Sequence, residues 1–228
     1  MTSPDGKKTF PFRLQHGDAY PEPTALPGGG RVVPQESYTS THGGRCEHAL
    51  VFPELVGLPG ADAAKKLNLA LRARVLAEDP REDCAESMDV QASYQVRPLG
   101  KRLLAIDIGH YQQFGDIRGH GWDDCAVADL AAGTLAPTQT LFAPGGLEKL
   151  SDLLRVALLA ATPDAGPERD NLNELYWQIG PDTPICLEAK GARIAINGHP
   201  LYGPWQQTIP YAQVVPLLVP GDAADALK

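Results

Sequence analysis

The stretch Val90–Phe142, VQASYQVRPLGKRLLAIDIGHYQQFGDIRGHGWDDCAVADLAAGTLAPTQTLF, decides the fold. Val90, Ala92, Tyr94 and Val96 alternate with Gln91, Ser93, Gln95 and Arg97, the period-two pattern of a strand with one buried face. Pro98-Leu99-Gly100-Lys101 supplies a turn, proline fixing φ and glycine accepting a positive one. Arg102–Ile108 predicts a second strand with Leu104, Ile106 and Ile108 on one face; Cys125–Leu130 predicts a third, closed by Ala131-Ala132-Gly133. An antiparallel meander is the simplest connection of three such strands.

Between the second and third strands lies Gly109–Asp124, a predicted loop of 16 residues. It carries His110, Tyr111, Phe114, Asp116, Arg118, His120, Trp122, Asp123 and Asp124. A connection longer than an ordinary hairpin loop points to function, and aromatic and charged side chains on glycine joints are what a protein interface concentrates. These nine residues form the candidate partner-binding set. The alternative is that His120 and Trp122 fold inward and brace the sheet edge.

Outward from this stretch, Ala61–Ala77 predicts a helix with Ala64, Leu67, Leu71 and Val75 in one stripe, opened by Pro59-Gly60. Pro144-Gly145-Gly146 introduces a second helix with Leu147, Leu150, Leu154 and Leu158 on its buried face. Asn171–Ile179 reads as a short helix, and Ile185–Ala189 and Arg193–Asn197 as a hairpin around Lys190-Gly191. Trp205–Ile209 adds a strand, and Pro210 begins a terminal helix. Glu36–Phe52 holds further strands. Its His42, Cys46, Glu47 and His48 fit no established zinc spacing and lack a fourth ligand, so no metal is assigned.

The order of elements predicts an α+β fold: an antiparallel sheet packed by two principal helices, with short terminal helices. Residues 1–36 read as a Pro/Gly-rich arm with a candidate strand at Thr9–Leu14, residues 37–220 as one domain, and residues 221–228 as a tail. The 228 residues carry 20 Lys and Arg against 28 Asp and Glu, a formal charge of −8. That balance argues against nucleic acid and anionic membrane surfaces and favours a basic partner. An acidic run, Glu78–Glu86, reads as a solvated loop or a steering patch for such a partner. No apolar run is long enough to span a bilayer, and MTSPDGKKTF lacks the apolar core of a signal peptide. Cys46, Cys84, Cys125 and Cys186 allow two disulfides in three connectivities, or four buried thiols.

Several short motifs occur together. Phe52-Pro53-Glu54-Leu55 precedes a helix carrying Leu67-Asn68, Tyr94-x-Val96 opens the meander, and Leu103-Leu104-Ala105-Ile106 follows. Arg118-Gly119-His120-Gly121 stands where a Gly-Gly-Ala-His loop would be, and Asp129-Leu130-Ala131-Ala132-Gly133 is followed by Leu141-Phe142 and Ile209-Pro210-Tyr211. Over roughly Ser37–Leu218 this succession resembles the RsiV-like domain, the extracytoplasmic lysozyme-sensing part of an anti-sigma factor, also found beside peptidoglycan deacetylases. The resemblance implies export, which would favour disulfides, and a lysozyme-like peptidoglycan hydrolase as partner. The altered Gly-Gly-Ala-His loop bears on the partner or register at that point.

The functional expectation is a non-enzymatic, extracytoplasmic immunity or inhibitor protein that binds such a hydrolase, with no cofactor. One alternative is a peptidoglycan- or carbohydrate-binding module stacking Trp122, Tyr111 and Trp205 on sugar rings. Another is a cell-wall hydrolase using His120 with Asp123 or Asp124. No Gly-x-Ser-x-Gly elbow occurs, and no catalytic residue is assigned.

Overall fold

The structure is a computed structural model describing residues 21–41, 46–76, 88–114, 119–162, 170, 179–180, 183–196 and 205–228. The expected Thr9–Leu14 strand, the acidic run Glu78–Glu86 and nearly all of the Asn171–Ile179 helix lie outside them. The fold is α+β. A large sheet runs in sequence order from β1 (Thr24–Ala25) through β2 (Arg31–Thr41), β3 (Cys46–Val56), β4 (Met88–Leu99), β5 (Leu103–Phe114) and β6 (His120–Asp129) to β7 (Thr134–Pro137). A smaller antiparallel sheet has the order β10 (Trp205–Pro210), β9 (Gly191–Ile196), β8 (Ile185–Leu187).

Two features differ from the expected single antiparallel sheet. There are two sheets, and the larger is mixed: β3 pairs β4 in parallel, Cys46–Leu50 alongside Met88–Ala92, after a crossover through helix α1 (Ala61–Leu76). Alternation reports which face is buried, not strand direction. Both ends of the expected domain also differ. The sheet begins at Thr24, inside the segment read as an arm. The expected tail forms a helix, Asp222–Ala226, burying Ala223, Ala224 and Leu227.

By packing, the chain divides into two compact units interleaved in sequence. The first comprises Met1–Val96, Asp107–Asp124 and Leu130–Leu135. Within it α1 packs on β3 through Leu67, Leu71 and Val75, each at most 1 % exposed. The ladder between β3 and β4 ends at Leu50, and the next stretch contains Pro53, which has no N–H to donate. Beyond it the Asn68 side chain of α1 serves Leu55: its Oδ1 accepts from the Leu55 amide at 2.8 Å, and its Nδ2 donates to the Leu55 carbonyl at 3.0 Å. One carboxamide thus stands in for a strand neighbour. Asn68→Ala would leave both groups of a buried residue unpaired and is expected to cost about 1–3 kcal/mol in chemical denaturation. Asn68→Asp, which keeps only the acceptor, should fall between that variant and the parent.

Gly133, in the turn after β6, has φ +69°, and a Cβ there would sit 2.7 Å from the Ala63 Cα. Both the left-handed backbone and the close approach require glycine.

The second unit comprises Arg97–Ile106, Cys125–Asp129 and Ala136–Lys228. Its core gathers Leu150, Leu154 and Leu158 of α2 (Gly146–Ala161) with Ile185, Ile194, Ile209 and Leu218. Leu147 is only partly buried. Ser151 is the polar residue on the buried face of α2, and both its roles are filled: it donates to the Leu147 carbonyl at 2.9 Å and accepts from the Ile179 amide at 3.0 Å. A disulfide joins Cys125 of β6 to Cys186 of β8, with Cα atoms 5.1 Å apart. Helix α3 (Tyr211–Val214) follows β10. The Tyr211 hydroxyl donates to the Glu188 carbonyl at 2.5 Å, the Arg97 guanidinium donates to the same oxygen, and Arg97 lies 4.8 Å from the Tyr211 ring centre. Burial pushes the Tyr211 phenol up to about 12, the nearby Arg97 charge working against that rise.

Candidate partner-binding site

The expected long loop Gly109–Asp124 is mostly strand. β5 continues to Phe114 and β6 begins at His120, so the link between them is Gly115–Gly119. The strand readings ended too early because His110, Gln112 and Gln113 are polar and Gly119 and Gly121 look like joints. A paired strand with polar side chains needs no apolar alternation. Gly119 is small for a packing reason: a Cβ there would fall on the Tyr111 ring.

The candidate residues therefore separate by position. Asp116 and Arg118 lie outside the described residues; Phe114 and His120 are placed as strand backbone. His110 is 2 % exposed and so is not a surface contact group. Its ring stacks on the Trp122 ring of the neighbouring strand, with centroids 5.1 Å apart and planes within 6°. Offset aromatic contacts of this kind contribute about 0.5–1.5 kcal/mol beyond the area they bury. Trp122 is half-buried. The stack combines the two earlier readings: Trp122 braces the ribbon through His110 and still shows part of its surface.

Tyr111 is half-buried and its hydroxyl donates to Gln113 Oε1 at 2.9 Å. Asp123 and Asp124 are half-buried. Asp124 is ion-paired with Arg74 of α1 at 2.9 Å, a partner that spacing in the sequence could not reveal because Arg74 lies 50 residues upstream on a different element. The site is thus a pair of neighbouring strands, a ribbon within the large sheet. It is held across its width by an imidazole–indole stack and at its base by an ion pair, with Gly115–Gly119 joining its strands.

Several of the motif residues hold the fold together. Phe52–Leu55 lie in β3, where Asn68 serves Leu55, and Gly133 closes its turn against Ala63 of α1. Ile209 is buried and Tyr211 locks onto Glu188. Tyr94, in β4, is 3 % exposed; burial holds its phenol well above the usual range.

No family model matches this sequence, and no curated protein does. Solved structures do match. A DUF3298 family member from Bacteroides fragilis NCTC 9343 superposes with TM-score 0.62 at 16 % identity, over 88 % of this chain and 98 % of its own. A DUF3298 family protein from Pseudomonas aeruginosa PAO1 gives 0.59 at 18 % identity, over 85 % and 95 %. The fold is that of DUF3298 proteins. In this DUF3298 fold the ribbon of β5 and β6 belongs to the large sheet. Among the described residues no helix is long and apolar enough to cross a membrane.

Proposed function

We propose that this chain is a non-catalytic binding protein that acts outside the cytoplasm on a basic, lysozyme-like peptidoglycan hydrolase, inhibiting or sensing it. The observation that carries the reading is the β5–β6 ribbon. Its His110–Trp122 stack ties together the two strands that Gly115–Gly119 links, and a pre-organised surface loses little entropy when a partner binds it. Three facts support it. The fold is shared with DUF3298 proteins, and the sequence motifs resemble those of the RsiV-like domain. The Cys125–Cys186 disulfide suits an oxidising compartment. The net charge of −8 favours encounter with a basic enzyme.

The test is capture of a lysozyme-type muramidase and of purified peptidoglycan by the whole chain in parallel. Trp122→Ala is expected to weaken muramidase capture by about 30-fold, the scale of an interface hot spot. Arg118→Glu, a substitution in the linking segment, should weaken it as well. Capture by the wall alone, unchanged by either substitution, would replace the inhibitor reading with that of a glycan-binding module.

A further inference from the structure

The first unit carries a groove that the proposed function does not use. It has a volume of about 670 Å³ and lies between α1 and the strands β2 and β3. Its floor is Phe52, Pro53 and Glu54; one wall is the α1 stripe from Ala61 through Lys65, Asn68 and Leu69 to Arg72. Those eleven steps of helix span about 16 Å, the length of roughly five residues of extended chain. Leu69 is 62 % exposed at its lip, an apolar side chain with its surface still in water.

The charges have the opposite sign to the chain as a whole. Helix α1 holds Lys65, Lys66, Arg72 and Arg74 against a single acid, Asp62, in a protein of net −8. Arg74 pairs with Asp124, whereas Lys65 and Arg72 have no carboxylate partner among the described residues. The Arg72 guanidinium lies 5.9 Å from the Phe52 ring centre, a stacking position that steadies the cation while leaving its N–H edge able to grip a carboxylate in two-pronged fashion. The groove's own acid, Glu54, accepts from the Gln35 side chain at 2.5 Å.

We propose that this groove binds an extended acidic peptide segment of another protein, with carboxylates three residues apart taken by Lys65 and Arg72 and an apolar side chain against Leu69 and Phe52. The spacing favours a peptide over a small anion. Lys65 and Arg72 are seven positions apart on one helix, about 10 Å of rise, which matches three residues of extended chain at about 3.3 Å each. A small carboxylate would reach only one of the two cations. On an otherwise acidic surface, this local basic stripe also fixes where and in which register such a segment docks.

The experiment is fluorescence anisotropy of the whole chain with a labelled hexapeptide, Glu-Leu-Pro-Glu-Leu-Pro, and with the same peptide carrying lysine for glutamate. The acidic peptide should bind and the lysine peptide should not. Lys65→Glu with Arg72→Glu should weaken binding about tenfold or more, two reversed surface charges acting together. Leu69→Ala should weaken it roughly threefold through lost apolar contact. Lys65→Glu alone should already weaken it, whereas Lys66→Glu, the same single reversal of charge on the same helix but off the groove, should leave it unchanged. All of these side chains are exposed or at the rim, so coincident melting curves will show that the fold is retained. Equal loss with Lys66→Glu, displacement by acetate at matched ionic strength, or no binding at about 1 mM peptide would each overturn the proposal. The outcome is independent of muramidase binding, which the ribbon carries.

Discussion

Replacing Cys125 and Cys186 together by alanine is expected to lower stability by about 2–4 kcal/mol, seen as a fall of roughly 5–15 °C in melting temperature. The bridge joins positions 61 residues apart, and removing a constraint of that length from the unfolded chain restores about 4 kcal/mol of loop entropy in the chain-entropy model. Both side chains are buried, Cys186 at 1 % exposure, so alanine also forfeits some packing. The double substitution isolates this bridge from the other two cysteines, which adding reductant would not. A melting curve identical to the parent's would mean that β6 and β8 are held together without it.

Leu154→Ala is expected to cost about 2–5 kcal/mol, the range for emptying a fully buried leucine site. Leu154 is 1 % exposed at the centre of the cluster formed with Leu150, Leu158, Ile185 and Ile194. Val156, two residues on, is 66 % exposed, and Val156→Ala should change stability by no more than about 0.5 kcal/mol. Urea denaturation of the pair checks the contrast: the midpoint should move for one and stay for the other. Equal shifts would mean that the buried face of α2 has been assigned the wrong way round.

That face was readable from spacing alone. Leucines at three- and four-residue intervals have one geometric solution on a helix, and both principal helices emerged where their stripes placed them. The period-two runs of β4 and β5 were equally legible, as was the β8–β9 hairpin. The errors arose where a local pattern is silent about its partner. Nothing in Cys46–Leu50 states that its neighbour runs parallel. Nothing in Asn68 states that its amide will complete the hydrogen bonds of Leu55, thirteen residues earlier. The tail read as polar because Asp222 and Asp225 flank small residues, yet Ala223, Ala224 and Leu227 have just the bulk that the core accepts. At the candidate site, glycine and polar residues resemble a loop, yet the glycine makes room for Tyr111. Sequence drew attention to Trp122; its ring partner His110, buried on the adjacent strand, is visible only in the pairing.

The ribbon as a recognition element is tested most directly by isothermal titration of the whole chain into a basic lysozyme-type muramidase at low and at physiological salt, alongside Trp122→Ala. The account predicts saturable one-to-one binding that blocks the enzyme's activity, weakens as salt screens the opposite charges, and weakens further in Trp122→Ala. No heat of binding at either salt, with the enzyme fully active in excess of this protein, would contradict it.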